Sequence, residues 1–374
     1  MNKPFDAQAI QQTIQRALAS AGLDTTAGPM RDAMDTIQRA LGPGHSQPPA
    51  PAPDTAAPVI DIVARVVGAP RAGSFESHEF SNHAGARAYK LYVPADAGGS
   101  AARPVVVMLH GCTQSPDDFA AGTQMNRLAD EHGFLVVYPE QPQQANPSKC
   151  WNWFRRQDQM CDAGEPAVIA GITNAVAQRH GADRSRVFVA GLSAGAAMAV
   201  VLGETYPGLF AGIGVHSGLP YGSAHDIPSA MAAMKGGRSG LPRARQAPGA
   251  ASTVRRKATQ RMPTIVFHGD RDHTVQHSNA AALVQQAQDA HLAQAAGETD
   301  KALKASTRTG TASGGHSYSC TAFADAQGRN HIEFWTVHGA GHAWQGGHAS
   351  GSYTDARGPD ASAEMLRFFM ALPA

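Results

Sequence analysis

The chain has 374 residues and a mass of 39.1 kDa, with 43% hydrophobic residues, enough to bury one large core and a smaller appendage. Its 31 basic and 30 acidic residues nearly cancel, and a pI near 7.8 leaves no global field to draw in nucleic acid or an anionic membrane. No apolar run approaches the roughly 20 residues that cross a bilayer, so no membrane span is expected.

The amino-terminal stretch MNKPFDAQAIQQTIQRAL lacks an apolar core, because Asp6, Gln8, Gln11 and Gln12 interrupt each candidate run. No signal peptide is expected from it and a cytoplasmic protein is, although leaderless export is compatible with the same text. Ile10, Ile14 and Ala17, then Met30, Met34, Ile37 and Leu41, recur at helical spacing on either side of Gly28 and Pro29. Residues 1–41 therefore read as a helical extension. Its simplest use is to pack on the main domain or on a copy of itself. Residues 42–58, GPGHSQPPAPAPDTAAP, lack hydrophobic periodicity and read as an extended, semi-rigid linker.

A single large domain is expected over residues 59–374. Strand-like runs at Ile60–Val67, Ser74–Phe80 and Ala86–Val93 suit antiparallel edge positions. Next come PVVVMLHG, FLVVYPE, RVFVAGLSAG, AGIGVHSG, PTIVFHGD and HIEFWTVHGAG, short apolar runs that stop at glycine or polar residues, as central parallel strands do. Helix-like stretches separate them at Asp117–His132, Pro166–His180, Ala194–Tyr206, Ser278–His291 and Asp360–Ala371, an alternation that implies an α/β fold. Residues 223–262 are rich in Gly, Ala, Pro, Ser and basic side chains, with Asp226 the only acid. They read as a basic, mobile insertion, either a solvated loop or a lid.

The most specific motif is Gly191-Leu192-Ser193-Ala194-Gly195, which follows an apolar strand and opens a helix-like stretch. A strand-to-helix elbow forces its central residue into a strained conformation, and side chains two positions away would collide, so glycines are needed at both. Downstream, Asp270 and Asp272 follow the strand PTIVFHG, and residue chemistry alone leaves the choice between them open. His342 follows the last strand-like run, and that placement selects it from 17 histidines over its neighbours His338 and His348. The order Ser, Asp, His is that of the α/β-hydrolase fold. In such a constellation His342 takes the proton from Ser193 as its oxygen attacks an ester carbonyl, and the acid orients the imidazole. The backbone amides of Cys112 and Ala194 are the expected oxyanion hole.

Cys112 itself is not expected to act as a nucleophile beside a serine elbow, since no setting that would lower its pKa is visible. The four cysteines, Cys112, Cys150, Cys161 and Cys320, are too few for a disulfide framework and lack CxxC metal spacing; if a bridge forms, Cys150 with Cys161 is the expected pair. No HExxH or comparable spacing occurs, and the chemistry needs neither metal nor cofactor, so none is expected.

Together with the elbow, Leu109-His110-Gly111-Cys112-Thr113-Gln114, Cys150-Trp151-Asn152-Trp153-Phe154, GAGHAWQGG and GSYTDARGPDASAEMLRFF resemble esterases of the poly(3-hydroxybutyrate) depolymerase family, from about residue 85 onward. That family is similar in fold to feruloyl and acetylxylan esterases. The resemblance implies Ser193 as nucleophile, Asp272 as acid and His342 as base, with the Cys112 and Ala194 amides as oxyanion hole. Asp270 is left to shape its loop. Trp344, Trp151, Trp153 and Tyr221 are expected substrate contacts, as aromatic walls suit apolar ester chains, with core packing the competing reading for the CWNWF pair.

The expected function is hydrolysis of esters of short hydroxy acids, such as polyhydroxyalkanoate oligomers or related polyesters, by a serine esterase. The alternatives are a carbohydrate esterase of feruloyl or acetylxylan type, and a granule-associated or scaffolding protein acting through residues 1–41. Neither an export leader nor a polymer-binding module is read in the chain, so action on crystalline extracellular polymer is not expected.

Overall fold

The computed structural model describes residues 73–95, 102–236, 261–293 and 302–373. The expected helical extension, the linker, the strand Ile60–Val67 and residues 237–260 of the basic insertion lie outside the described residues.

In chain order, strands β1 (Ser74–Asn82), β2 (Gly85–Val93) and β3 (Val105–Leu109) lead to helices α1 (Pro116–Thr123) and α2 (Met125–His132) and to β4 (Leu135–Pro139). Then come α3 (Gly164–Arg179), β5 (Val187–Leu192), α4 (Ala194–Thr205), β6 (Gly212–His216), α5 (Ile227–Met234), β7 (Thr264–Gly269) and α6 (Ser278–Ala293). The chain ends with β8 (Lys304–Thr311), β9 (Ser317–Ala324), β10 (Asn330–Val337), the two-residue strands β11 (Trp344–Gln345) and β12 (Thr354–Asp355), and α7 (Ala361–Met370).

Ten strands form one sheet in the order β1-β2-β4-β3-β5-β6-β7-β10-β9-β8. The six from β4 to β10 are parallel, and antiparallel pairs close both edges. In β3, Val105, Val107 and Leu109 enter the core on one face of the sheet, with α3, α4 and α6, while Val106 and Met108 enter the core on the other, with α1, α2 and α7. Burial on both faces is why this strand is an unbroken apolar run. The α/β-hydrolase arrangement expected from the sequence is the one observed.

Three local expectations change. The helix expected over Asp117–His132 is two helices, because Gln124 takes a left-handed conformation (φ 55°) that ends one and starts the next. Ser115 caps α1 by accepting from the Asp118 amide, a contribution of about 1 kcal/mol. Strands β8 and β9 were not foreseen. The segment KASTRTGT is exposed along almost its whole length and joins the sheet through main-chain pairing with β9, which leaves no hydrophobic alternation to read. The first part of the supposed mobile insertion is the ordered helix α5, whose segment IPSAMAAM carries no charge and starts in a capping box between Asp226 and Ser229.

Candidate active site

The carboxyl ends of the parallel strands hold the expected residues, as the crevice at that edge does in open α/β sheets. At the β5–α4 elbow, Ser193 has φ 56° and ψ −118°, a strained conformation for a residue with a β-carbon. The flanking glycines are steric necessities: a β-carbon at Gly191 would lie 2.5 Å from the Gly195 carbonyl carbon, and one at Gly195 would lie 2.1 Å from the Leu109 oxygen. Ser193 N donates to the His216 carbonyl at 2.9 Å, tying the elbow to the end of β6.

β7 and β10 lie two and three places from β5 in the sheet, so the loops that follow them reach the same edge. Asp272 is fully buried, and its Oδ1 accepts from the amides of Thr274 and Val275 at 2.9 and 2.8 Å. Its Oδ2 lies 2.6 Å from His342 Nδ1 and 3.3 Å from His268 Nε2. Burial alone would raise the Asp272 pKa, but the bonds from His268 and His342 and from the Val275 amide outweigh it and hold the carboxyl well below the usual carboxylate range. An ionised carboxylate only accepts, so His342 donates from Nδ1 and keeps Nε2 as an acceptor, the tautomer a general base requires. Asp270 faces the same loop differently: its carboxylate accepts from the Gly339 amide at 2.7 Å and pairs with His338 Nδ1 at 3.0 Å. The two carboxylates that residue chemistry left open are thus separated by geometry, one on His342 and one on the turn before it.

Cys112 and Ala194 follow neighbouring strands, since β3 pairs with β5, with Leu109 opposite Gly191. The loop after β3 is pinned by Gln114, whose Oε1 accepts from the Gly111 amide at 2.9 Å, and by the Thr113 amide donating to the Ser148 carbonyl at 2.7 Å. It is also covalently held. Cys112 is bonded to Cys150, not Cys150 to Cys161; Cys161 is exposed and free, and Cys320 is buried and free. Closeness in sequence misled here, because the CWNWF segment folds back under the β3 loop and brings Cys150 to Cys112. With its sulfur in a disulfide, Cys112 has no thiol with which to attack.

The tryptophans expected to touch substrate are core residues. Trp151 and Trp344 are 0% and 1% exposed and present no surface to a ligand; Trp153, at 6%, presents almost none. Trp151 donates from its indole to the His110 carbonyl at 3.1 Å, and Trp344 donates to Ser362 Oγ at 3.0 Å while packing edge-on against Phe119. Trp153 packs edge-on against Phe154. Tyr221 is half-buried, with its hydroxyl donated to the Gln159 carbonyl at 2.7 Å.

Several supporting residues escaped the sequence reading. His216 is fully buried, stacks on Trp344, and accepts from the Gln345 amide at 3.1 Å through Nε2, so one side chain joins β6 to the segment just beyond His342. Burial, with the nearby His268 and His342, keeps it neutral. His110 is buried in the loop after β3, accepts from the Gln141 amide at 3.1 Å, and has its pKa lowered to about 4 by desolvation. Glu165, also buried, accepts from the Asn152 amide at 2.7 Å and from the Gln141 side chain, and so holds the CWNWF segment in place. The readable signal for His110 and His216 was a histidine at the polar end of an apolar strand; nothing in the text near Glu165 marked it.

Sheet order, the elbow and the loops that follow β7 and β10 define an α/β-hydrolase. A solved acetyl xylan esterase from Aspergillus awamori has the same fold, with a TM-score of 0.58 at 20% identity, covering 80% of this chain and 100% of that one. Residues 87–305 match the family described as Esterase PHB depolymerase, and the chain belongs to that family. It is 33% identical over 256 residues to poly(3-hydroxyalkanoate) depolymerase C of Paucimonas lemoignei, covering 68% of this chain and 58% of that protein. Over shorter stretches it is 33% identical to acetylxylan esterase A of Aspergillus oryzae (43% of this chain, 52% of that protein) and to feruloyl esterase B of Thermothelomyces thermophilus (37% and 47%). The chain spans about half the length of the curated relatives it matches.

Proposed function

We propose that the protein is a serine esterase that cleaves carboxylic esters of short hydroxy acids, such as polyhydroxyalkanoate oligomers, through an acyl-enzyme. The observation that carries the reading is the 2.6 Å pairing of His342 Nδ1 with the buried Asp272 carboxylate, at the sheet edge where the strained Ser193 stands. His342 Nε2 accepts the Ser193 proton as Oγ attacks the ester carbonyl, and Asp272 stabilises the imidazolium that results. The amides of Cys112 and Ala194 bind the tetrahedral oxyanion. The same imidazolium then protonates the departing alcohol, and water attacking with His342 as base releases the acid. Ser193→Ala is expected to lower kcat on a short p-nitrophenyl ester by about 10⁴-fold or more. Full turnover by that variant overturns the reading.

Hydroxy-acid esters are placed first because the depolymerase relative aligns over more of the chain than the carbohydrate esterases do. The second reading, esters on carbohydrate, is supported by the acetylxylan and feruloyl esterase relatives. Rates on hydroxybutyrate oligomers against those on methyl ferulate and acetylated xylan separate the two. Residues 1–41 are proposed to serve self-association or docking to a polymer granule; loss of either on deletion of residues 1–58, with esterase activity kept, supports this. The Cys112–Cys150 bridge favours export over the cytoplasmic placement expected from the amino-terminal stretch, since disulfides persist in oxidising compartments. Trapping thiols in intact host cells before lysis decides between them.

A further inference from the structure

Five large hydrophobic side chains stand exposed among the described residues, and Tyr353, 48% exposed, is the one joined to the loops of this site. Its backbone is immobilised on both flanks. The Ser352 amide donates to Asp118 at 2.8 Å, Thr354 pairs with Trp344 across β11 and β12, and the Tyr353 carbonyl accepts from the Trp344 amide at 2.7 Å. Its φ of 53° lies in the left-handed region, which a ring-bearing residue rarely occupies. Thr113, Ser193 and Ser217 share that region, with φ of 67°, 56° and 52°, and all belong to the loops around the elbow. Strain of this kind persists where the surrounding structure enforces it, and it gathers at functional sites.

The phenol hydroxyl is anchored too. Thr113 donates its only hydroxyl proton to the Cys112 carbonyl at 2.6 Å, so in the 3.2 Å contact between Thr113 Oγ1 and Tyr353 OH the tyrosine is the donor. One end of the residue therefore rests on the loop that carries Cys112, and the other on the strand that begins two residues after His342. Between these anchors is a ring that folding leaves in water. A rigid aromatic face costs little conformational entropy to use, and it gains on desolvation against hydrocarbon.

We propose that Tyr353 is the specificity-determining residue at the mouth of the site, its ring a fixed wall for the hydrocarbon part of the ester. The proposal rests on the serine-esterase reading above and deepens it. A wall of this kind holds ground state and transition state alike, so its removal raises KM and spares kcat.

The test compares p-nitrophenyl acetate with p-nitrophenyl hexanoate on the full chain, using wild type, Tyr353→Asn and Tyr353→Phe. Asparagine tolerates the left-handed conformation, so the ring is removed without straining the backbone. Tyr353→Asn is expected to lower the hexanoate-to-acetate ratio of kcat/KM about tenfold, which corresponds to about 1.4 kcal/mol, through a higher KM for hexanoate. Tyr353→Phe keeps the ratio within about twofold. If Tyr353→Asn does not fold, Tyr353→Gly, equally at ease at this φ, carries the same measurement. An unchanged ratio, or an equal loss of kcat on both esters, overturns the proposal. Wild-type hydrolysis that Ser193→Ala abolishes secures the underlying reading separately, so those results count against Tyr353 alone.

Discussion

The loop after β3 and the loop after β10 flank the elbow from its two sides, since β3 borders β5 on one side and β6, β7 and β10 follow on the other. The first is held by a covalent bond and neutral groups: the Cys112–Cys150 bridge, the Gln114 amide, the Trp151 indole and a neutral His110. The second is held by charge, with Asp270 on His338 and the Gly339 amide, and Asp272 on His342. In the proposed mechanism the first loop only has to keep an oxyanion-binding N–H in place, for which a staple suffices. A general base has to be oriented and then stabilised as a cation, for which a carboxylate is needed.

That contrast breaks most sharply at Asp272. Asp272→Asn is expected to cut kcat by about 10⁴-fold, because an amide no longer stabilises the imidazolium or fixes its tautomer. Steady-state kinetics on a short p-nitrophenyl ester measure it, and a loss below tenfold would mean that charge does not govern the second loop.

Acid should undo the loops in different pH windows. His110 has its pKa lowered from 6.5 to about 4, so the native state favours its neutral form; its contribution is complete above 6.5 and is lost as pH falls through about 4, amounting to roughly 3 kcal/mol. His216, also lowered, acts with the same sign, while Glu165, whose pKa is raised by burial and by Asp158, acts with the opposite sign. Asp272 is depressed below its ordinary 3.8, so its contribution is present above that value and fades only in stronger acid. Urea unfolding at several pH values should show a slope between pH 6.5 and 4 that is flatter in His110→Asn than in the wild type.

Reduction should act on the first loop alone. Opening the bridge with a phosphine, or Cys150→Ser, is expected to lower kcat by about 10²-fold, as loss of one oxyanion donor does, and to cost about 2–4 kcal/mol of stability. Cys161→Ser serves as the control with its bridge intact. Unchanged kcat after verified reduction would show that the hydrogen bonds of Gln114 and Trp151 hold the loop by themselves.

The smallest effect is expected at Asp270. Asp270→Asn weakens the contacts to His338 and the Gly339 amide but leaves Asp272 on His342, so kcat should fall by about tenfold with little change in KM. A loss as large as that of Asp272→Asn would mean that the turn before His342 has no support besides Asp270.

Much of this was written in the chain. Apolar runs that stop at glycine or polar residues marked the six parallel strands, and the need for two glycines around a strained serine marked the elbow, because each of these depends on neighbours in sequence. Choosing Asp272 over Asp270 required the family resemblance, and only the fold shows the reason, which is the way each carboxylate meets the turn from 337 to 342. Strands β8 and β9 stayed hidden because main-chain pairing, not side-chain patterning, places them in the sheet.

The sequence by itself determined the kind of fold and the strand that carries the elbow serine, and it ordered the residues proposed to react. Only the tertiary structure decided that Cys112 pairs with Cys150, that Trp151 and Trp344 are packed within the core, and that Tyr353 stays exposed beside the loop that carries Cys112. Hydrophobic pattern and local sterics act over a few residues and can be read along the chain. Pairing, burial and exposure depend on which distant segments fold together, and no short stretch of sequence carries that information.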